Sequence, residues 1–430
     1  MKIAKVTAAA AVLAIAVAGC GSGSGQGGSG DESAVKSLTV WRLGDSTPEQ
    51  TDFMTKINSA FEAKHPGVKV TVQWVAWNDY TKKFQNAVAG GKGPDVTEVG
   101  NTDVLGWAKQ GALADITGQV QGWAPAKDIP QALFANDDLE GKRYGVPWYA
   151  GDRGFLYRKD WFDELKIATP RNWDDIVAAA KRLQQAKGVT GLPLATQADA
   201  TYFIAPYIWG NGGELATQSG GKWTSGLGSP QAKEAIAFYT GLATKDKVSP
   251  VASAGWDSLK TESMFTSGKA GMVMDGSWAR PVIEGKNKKL KGKIGSFAIP
   301  KKDGSGPAPT FAGGSDLAVW RTTKAPKMAW DYLTLLDSKK NATAFADLTN
   351  FFPTFSDVLK SAKYTEDPFL APFATAMSTV PKTTPATPNW VSANQDKTVV
   401  QTMIADIIKG KPLDAEVTKA DGQLDDLLNQ

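Results

Sequence analysis

The side chains best suited to chemistry cluster in one short stretch, WYAGDRG, at residues 148–154. Two adjacent aromatic residues, Trp148 and Tyr149, are followed closely by an acid and a base, Asp152 and Arg153. Aromatic rings offer flat apolar faces, and hydrogen bonds to charged groups are roughly twice as strong as neutral ones. A pyranose ring, with an apolar face and vicinal hydroxyl groups, would use both. The alternative is that Asp152 and Arg153 form a structural pair.

Tryptophan is the most unusual feature of the composition. The chain has 15 tryptophans among 430 residues, and several stand beside glycine, asparagine, aspartate or proline, which favour turns. A tryptophan in such a loop can stack on a flat, partly polar ligand. At least half of the tryptophans are expected in hydrophobic cores, and the others favour a carbohydrate ligand.

Several catalytic chemistries are disfavoured by the residue types present. His65 is the single histidine and stands at a helix end in KHPG, so histidine-based nucleophilic catalysis is not expected. No GxSxG or phosphate-loop motif occurs in a suitable context, and no histidine or cysteine cluster indicates a metal. We therefore expect no catalytic residue, no metal and no cofactor. A secreted glycoside hydrolase stays open, because 44 acidic residues include many possible carboxyl pairs.

The charge pattern argues against a nucleic-acid partner. The formal net charge is +4, and no run of like charge is long enough for a nucleic-acid-binding arm. The most basic stretch, KNKKLKGK at 286–293, is interpreted as a solvated turn rather than a binding surface.

The amino-terminal residues resemble a lipoprotein signal. Lys2 and Lys5 precede an apolar run at 6–18, which is shorter than the ~20 residues of a membrane-spanning helix. The stretch VAGC resembles the lipobox of bacterial lipoproteins, in which cleavage leaves Cys20 as the lipidated first residue. We predict a signal peptide at 1–19 and a flexible tether, rich in glycine and serine, at 20–36. An ordinary signal peptide is the alternative.

Strand and helix patterns alternate in the first part of the chain. SLTVWRLGDS alternates apolar and polar residues as a strand does, and a helical pattern follows it. VKVTVQWV, NDYTKKFQNAVAGG and GPDVTEV then predict a strand, a helix and a strand. This alternation predicts a parallel sheet with helices on its faces, and ligands bind beyond the carboxyl ends of such strands. The chain after residue 36 is long enough for two domains.

A later stretch, NWDDIVAAAKRLQQAKG, predicts a helix capped by Asn172. Asp174 and Asp175 are interpreted as first-turn acids that complement the helix dipole, not as a catalytic pair.

Seven blocks of the sequence, taken in order, resemble the extracellular solute-binding proteins of ATP-driven ABC importers, in particular the group that binds oligosaccharides. The resemblance implies an α/β fold of the periplasmic-binding-protein type II, with two lobes, each a mixed sheet flanked by helices. A hinge would join the lobes, and the ligand would lie in the cleft between them. The blocks are LTVWRLGDS, GPDVTEVGNTDVLGWAKQGALADIT, YGVPWYAGDRGFLYRKDWFDEL, NWDDIVAAAKRL, YFIAPYIWGNGGEL, MFTSGKAGMVMDGSW and GGSDLAVW.

The resemblance also implies lobe boundaries and partners. One lobe is expected at 37–149 plus 310–352 and the other at 150–309 plus 353–430. The expected partners are a saccharide, the permease subunits of an ABC transporter and the membrane, through a lipid on Cys20. We expect a monomer at the extracellular face of the cell membrane.

Site residues are carried over from the resemblance position by position. Asp45 falls where the family often places a carboxylate, but it could instead belong to a helix-capping turn. Asn101 and Asp103 follow the third strand, where the family places polar contacts, but either residue could instead cap the loop. The family's carboxylate can fall at Gly151, which leaves the role of Asp152 open. Trp278, after a strand and a glycine turn, is the leading stacking residue. The predicted ligand-binding residues are Asp45, Asn101, Asp103, Trp148, Tyr149, Asp152, Arg153, Tyr202, Trp209, Asn211, Trp256, Asp275, Trp278, Gly314 and Trp390.

The saccharide itself is less narrowly predicted. EVGNTDV and GDRGFLYRKD look most similar to actinobacterial binders of N-acetylglucosamine or chitooligosaccharides. Binders of trehalose and of malto- or cello-oligosaccharides are close in sequence, so they stay open. A receptor for a non-sugar solute is a further alternative.

Overall fold

A computed structural model of the chain describes residues 32–44, 46–379 and 381–430. Asp45, Cys20 and the predicted signal peptide lie outside the described residues, as does the predicted tether up to residue 31. Among the described residues, no helix combines the length and apolar character that a membrane span requires.

The strands are short and spread along the whole chain. They are β1 (Ser37–Leu43), β2 (Lys69–Val75), β3 (Val96–Gly100), β4 (Asp138–Leu139), β5 (Lys142–Arg143), β6 (Val146–Gly151), β7 (Gly154–Arg158), β8 (Ala216–Ser219), β9 (Lys222–Ser225), β10 (Met272–Asp275), β11 (Ile294–Ala298), β12 (Thr310–Phe311), β13 (Gly313–Val319), β14 (Phe352–Pro353) and β15 (Pro381–Lys382).

Helices follow most of these strands. They are α1 (Pro48–Lys64), α2 (Trp77–Gly90), α3 (Val104–Lys109), α4 (Thr117–Gly122), α5 (Lys159–Leu165), α6 (Trp173–Lys187), α7 (Ala200–Gly210), α8 (Pro230–Thr244), α9 (Ser258–Thr266), α10 (Ala279–Lys286), α11 (Pro326–Leu336), α12 (Lys339–Thr349), α13 (Ser356–Leu359), α14 (Ala362–Glu366), α15 (Ala371–Thr379), α16 (Val399–Ile408) and α17 (Leu413–Leu428).

Helix α6 shows how the local sequence sets an element. The Asn172 side chain accepts a hydrogen bond of 2.8 Å from the amide of Asp175, which confirms the predicted cap. Trp173, Ile176 and Leu183 form its buried face. The helix ends at Gly188, whose φ of 64° is readily adopted by glycine.

Within the described ranges, six strands form one sheet, called here the large sheet, in the order β14-β6-β13-β3-β1-β2. Strand β1 is parallel to β2 and β3, as the sequence predicts. Strand β13 is antiparallel to both β3 and β6, so the sheet as a whole is mixed. The chain supplies β13 from far downstream, and no local pattern reveals its direction.

One edge of the large sheet gathers the strand ends that matter for the site. The carboxyl ends of β1, β3 and β6 meet there with the amino end of β13. We call this the glycine edge, because glycines stand at or directly after these ends: Gly44, Gly100, Gly151 and Gly313.

Both faces of the large sheet are covered. Leu38 and Val40 of β1 pack into a core with helices α1, α11 and α12. Trp41 and Leu43 point to the opposite face, in a core with helices α2 and α3. The alternation follows from the two-residue period of a strand.

Within the same ranges, three strands form a second sheet, in the antiparallel order β10-β7-β11. Phe155 of β7 and Phe297 of β11 stack with their centroids 4.6 Å apart. Helices α6, α7, α8, α16 and α17 contribute to the core on this side of the molecule. The mixed and antiparallel sheets with flanking helices are those of an α/β protein.

A buried ion pair connects the central strands of the large sheet. Arg42 of β1 and Glu98 of β3 are bonded to one another, with 2% and 0% of their side chains exposed. Glu98 also accepts hydrogen bonds from the amide of Leu43, at 2.8 Å, and from the hydroxyl of Tyr149. The Arg42 guanidinium lies 4.0 Å from the ring centroid of Trp148. The Glu98 carboxylate is thus occupied by protein donors.

Two buried acids lie beside strand β13. Asp137 and Asp316 are almost fully buried, and the negative charge of Asp316 is felt by Asp137. Burial raises the pKa of both carboxyls, that of Asp316 to about 7. Two carboxylates so close cannot both be ionised at low cost, so we expect the pair to share a proton.

Candidate ligand-binding site

Trp278 lies at the glycine edge, immediately before helix α10. A Cβ atom on Gly151 would stand 2.6 Å from its ring, and one on Gly276 would collide with it. The indole also stacks on Phe351, with centroids 4.9 Å apart and planes at 23°. A side chain at Gly151 or Gly276 would displace the ring. Trp278 can therefore occupy this position because both residues are glycine.

Arg153, the residue directly before strand β7, also contacts the ring of Trp278. Its guanidinium carbon lies 4.5 Å from the ring centroid of Trp278 and 5.3 Å from that of Phe203. Its Nε atom is buried and has no hydrogen-bond partner among the described residues. Arg153 therefore keeps a donor for a group that enters the site.

Asp152 and Asp275 add acidic groups near Arg153. Asp152 is fully buried; one carboxyl oxygen accepts from the hydroxyl of Thr310 at 3.2 Å, and the other is without a partner among the described residues. Burial raises its pKa well above the usual range, against opposing effects of Thr310 and Arg153. Burial, followed by the charge of Glu262, raises the pKa of Asp275 to about 7.

These acids can donate as well as accept. A protonated carboxyl has one donor and one free acceptor, which matches a sugar hydroxyl or a ligand amide. The alternative structural pair of Asp152 and Arg153 is limited to an electrostatic effect of Arg153 on the pKa of Asp152, whose hydrogen-bond donor is Thr310. Unused hydrogen-bonding atoms beside a fixed indole ring form a site for a ligand with a flat apolar face and polar substituents.

The loop after β3 is occupied by the protein itself. The Asn101 side chain donates to the carbonyl of Ala312 at 3.0 Å. Asp103 accepts from Tyr80, from Gln395 at 2.6 Å and from Thr102 at 3.2 Å. Burial raises the pKa of Asp103 to about 6, although these hydrogen bonds oppose the shift.

Tyr202 joins this loop to helix α7. Its ring stacks on Phe311 with centroids 4.4 Å apart and planes at 15°. Its hydroxyl lies 3.3 Å from that of Thr102 and accepts from Asn394 at 3.0 Å. Asn394 and Gln395 belong to a π-helical turn at Ser392–Asp396. The segments around β3, α7 and residue 394 are therefore bonded to one another in this conformation.

Other predicted residues lie away from open space. Trp148 is fully buried and stacks on Phe345, with centroids 4.4 Å apart. Trp390 and Trp209 are buried in the core around α7, α8 and α16. Such aromatic residues are expected in a core, and in this conformation none of the three rings faces the glycine edge.

Three further predicted residues have mainly structural contacts. The Tyr149 hydroxyl is engaged by Glu98 and by Ser315 at 2.9 Å. Asn211 donates to the Gln231 carbonyl and to Glu234, each at 2.9 Å, on the exposed surface. Gly314 has a φ of 143°, and any Cβ there would collide with the carbonyl of Tyr149.

Trp256 is half-buried, and its carbonyl accepts from the amides of Thr196 and Gln197 at 2.8 and 3.0 Å. It stands near the amino end of α9. No contact in the described chain joins it to Trp278.

The sequence interpretation missed Trp77. It is the first residue of helix α2, and 46% of its surface is exposed. A Cβ on Gly44 would stand 3.1 Å from its Nε1 atom, which places the indole at the glycine edge. The signal was present, because VAWNDY follows the carboxyl end of β2, as Asn101 follows that of β3.

Metal chemistry has no support in the described part of the chain, where no group of three or more histidine, cysteine or acidic residues could hold an ion. His65 stacks on Phe61, with centroids 4.2 Å apart, at the end of α1. The described site offers an indole ring for stacking and the polar side chains of Arg153, Asp152 and Asp275 for hydrogen bonding.

Comparison with known proteins gives a consistent result. A family model described as "Bacterial extracellular solute-binding protein" matches residues 44–343. The diacetylchitobiose binding protein DasA of Streptomyces coelicolor is 28% identical over 392 residues, covering 90% of this chain and 88% of that protein. A multiple sugar-binding protein of Streptococcus mutans is 26% identical, covering 69% of this chain and 70% of that protein.

Solved structures show the same fold. An ABC transporter solute-binding protein of Thermotoga lettingae, bound with alpha-D-tagatose, has a TM-score of 0.82 and 24% identity over 91% of this chain and 100% of that chain. The GacH receptor of Streptomyces glaucescens has a TM-score of 0.81 and 22% identity over 92% of this chain and 99% of that chain. The predicted fold class, two lobes of the periplasmic-binding-protein type II, is confirmed.

Proposed function

The chain belongs to the bacterial extracellular solute-binding proteins, and we propose that it is the receptor of an ABC importer for an oligosaccharide containing N-acetylglucosamine. The observation that carries the proposal is the Trp278 indole, fixed at the glycine edge beside Arg153, Asp152 and Asp275. Arg153 and Asp152 provide unsatisfied polar atoms beside the indole. Because Phe351 and Arg153 lie over the ring in this conformation, a sugar would stack on it in place of one of these side chains. The name of the relative DasA supports the choice of saccharide.

We propose that the ligand bridges two lobes, at 37–149 plus 310–352 and at 150–309 plus 353–430. The strands of the large sheet come almost entirely from the first set, and those of the β10-β7-β11 sheet from the second. The boundary between the two sets falls within strand β6, between residues 149 and 150. Gly151, the last residue of this strand, lies beside the Trp278 ring. A bound saccharide would favour the closed form only by its higher affinity for that form.

The proposed site residues are Arg153, Asp152, Asp275 and Trp278, with Asn101 and Tyr202 at its margins. Trp256 is retained as a contact from the sequence prediction. The Asp103 carboxylate already accepts hydrogen bonds from Tyr80 and Gln395. Asp103 would therefore stabilise the closed form through its hydrogen bond with Gln395 rather than contact the ligand. Asp45, although outside the described residues, is retained as a contact from the segment after β1.

Calorimetric titration with a panel of saccharides, combined with analysis of the recovered sugar, tests this function. We expect diacetylchitobiose to bind and to be recovered intact, because the chain belongs to a family of solute-binding proteins. Trehalose, maltose and cellobiose are the comparison ligands. Cleavage of any sugar would establish the glycoside hydrolase instead, and binding of no sugar would refute the saccharide receptor.

We also propose that the protein acts as a monomer, anchored at the extracellular face of the cell membrane by lipid on Cys20, where it meets the permease subunits. The stretch VAGC followed by GSGSGQGGSG supports an anchor with a flexible tether. Cys20→Ala should release the protein to the medium with unchanged saccharide affinity, measured by cell fractionation and titration. Retention of this variant on the membrane would contradict the anchor.

A further inference from the structure

Trp77 combines size, exposure and position in a way that core packing does not explain. Among the described residues, the large hydrophobic side chains with extensive exposure are Trp77, Val251 and Leu259, and the indole is the largest. One part of the ring contacts Tyr80 edge-on, with centroids 5.7 Å apart. The exposed remainder, 46% of the residue, faces solvent and is available for a ligand to cover.

The backbone beside Trp77 is unobstructed because two glycines stand there. A Cβ on Gly44 would stand 3.1 Å from Nε1, and a Cβ on Gly100 would stand 3.7 Å from Cζ3. Gly44 has a φ of 87°, a conformation that disfavours other residues. The indole is therefore held over the carboxyl ends of β1 and β3.

The sheet order fixes how far Trp77 lies from Trp278. Trp278 contacts Gly151 at the end of β6, whereas Trp77 lies between Gly100, at the end of β3, and Gly44, after β1. Strand β13 lies between β6 and β3, so these positions are two to three strand spacings apart, or ~10–14 Å. A single pyranose ring cannot stack on both indoles.

We propose that Trp77 is a second stacking surface, which binds a sugar unit one or more residues along the chain from the unit on Trp278. The proposal rests on the proposed function and deepens it, because it assigns a side chain to the second sugar unit and predicts that affinity rises with the length of the ligand. Asp103 and Tyr80 lie directly beside Trp77 and hold the loop after β3 in place.

The experiment compares chain length within one sugar series. Affinities of N-acetylglucosamine, diacetylchitobiose and triacetylchitotriose are measured by calorimetry for the wild type and Trp77→Ala. We expect the variant to lose about tenfold in affinity for the trisaccharide, equivalent to ~1.4 kcal/mol, and less than about twofold for the monosaccharide. Trp77→Phe should retain most of the trisaccharide affinity, because a ring is preserved.

Trp123→Ala is the matched control. Trp123 is a half-buried tryptophan that packs edge-on against Trp330, with centroids 6.3 Å apart, on the α11 side of the large sheet. Its removal should leave all three affinities unchanged. Thermal unfolding of each variant confirms that the fold is retained.

The possible outcomes distinguish failure of the second stacking surface from failure of the proposed receptor function. If the wild type binds the sugars and Trp77→Ala binds the trisaccharide as tightly as the wild type, the second stacking surface is refuted while the receptor function stands. An equal loss for all three sugars would place Trp77 in the primary site and also refute the proposal. If the wild type binds no saccharide, the proposed function fails and this inference fails with it.

Discussion

Trp278→Ala is expected to weaken saccharide binding by about 30-fold or more. The indole is half-buried, faces Arg153 and is held against Gly151 and Gly276, so its position is fixed before a ligand arrives. Preorganised aromatic anchors of this kind are binding hot spots, whose truncation costs ~2 kcal/mol or more. A fixed ring also loses little conformational entropy when the sugar binds.

Trp161→Ala provides a matched control for Trp278→Ala. The Arg158 guanidinium lies 3.9 Å from the Trp161 ring centroid, so the same combination of arginine and tryptophan occurs outside the proposed site. Titration calorimetry should show wild-type affinity for this variant. Wild-type affinity in Trp278→Ala would instead remove Trp278 from the site, provided that thermal unfolding shows an intact fold.

Glu98→Ala is expected to lower the free energy of unfolding by ~3–5 kcal/mol, the usual cost of removing one partner from a buried ion pair. The substitution leaves Arg42 as a buried cation and deprives both the Leu43 amide and the Tyr149 hydroxyl of an acceptor. The Arg42 guanidinium would keep only its aromatic neighbours, among them Trp148. Urea denaturation, followed by circular dichroism, measures the loss.

Two further variants identify the cause of this destabilisation. Arg42→Met in the Glu98→Ala background should recover part of the lost stability, because it removes the uncompensated charge. Asp52→Ala breaks the exposed pair with Lys56, whose side chains are 62% and 75% exposed, and should leave the unfolding midpoint nearly unchanged. A Glu98→Ala protein as stable as the wild type would show that the buried pair contributes little.

Local patterns in the sequence were sufficient to predict individual helices and strands and some of the site residues. The Asn172 cap and the strand that leads to Trp278 depend on neighbouring residues, which a single sequence displays directly. The resemblance of ordered blocks supplied the fold class. Local patterns could not predict which tryptophans are buried, because a ring becomes buried through partners that are distant in the sequence.

Trp148 and Asp103 illustrate that limit. Trp148 stacks on Phe345, and Asp103 accepts from Gln395, 292 residues further along the chain. Nothing near either position identifies these partners. Trp77 differs, because its position after strand β2 is visible in the sequence, whereas its exposure depends on the packing of helix α2.

The order of strands in the large sheet has a consequence for how the chain reaches its destination. Strand β13 must insert between β3 and β6, and residue 96 pairs with residue 319. Pairings between such distant residues form slowly, because a long loop must close before any contact is gained. Until residues 313–319 have been synthesised, the sheet lacks the strand that lies between β3 and β6. Completion of the large sheet therefore depends on a late segment of the chain, and we expect folding to be slower than for a sheet built from neighbouring strands.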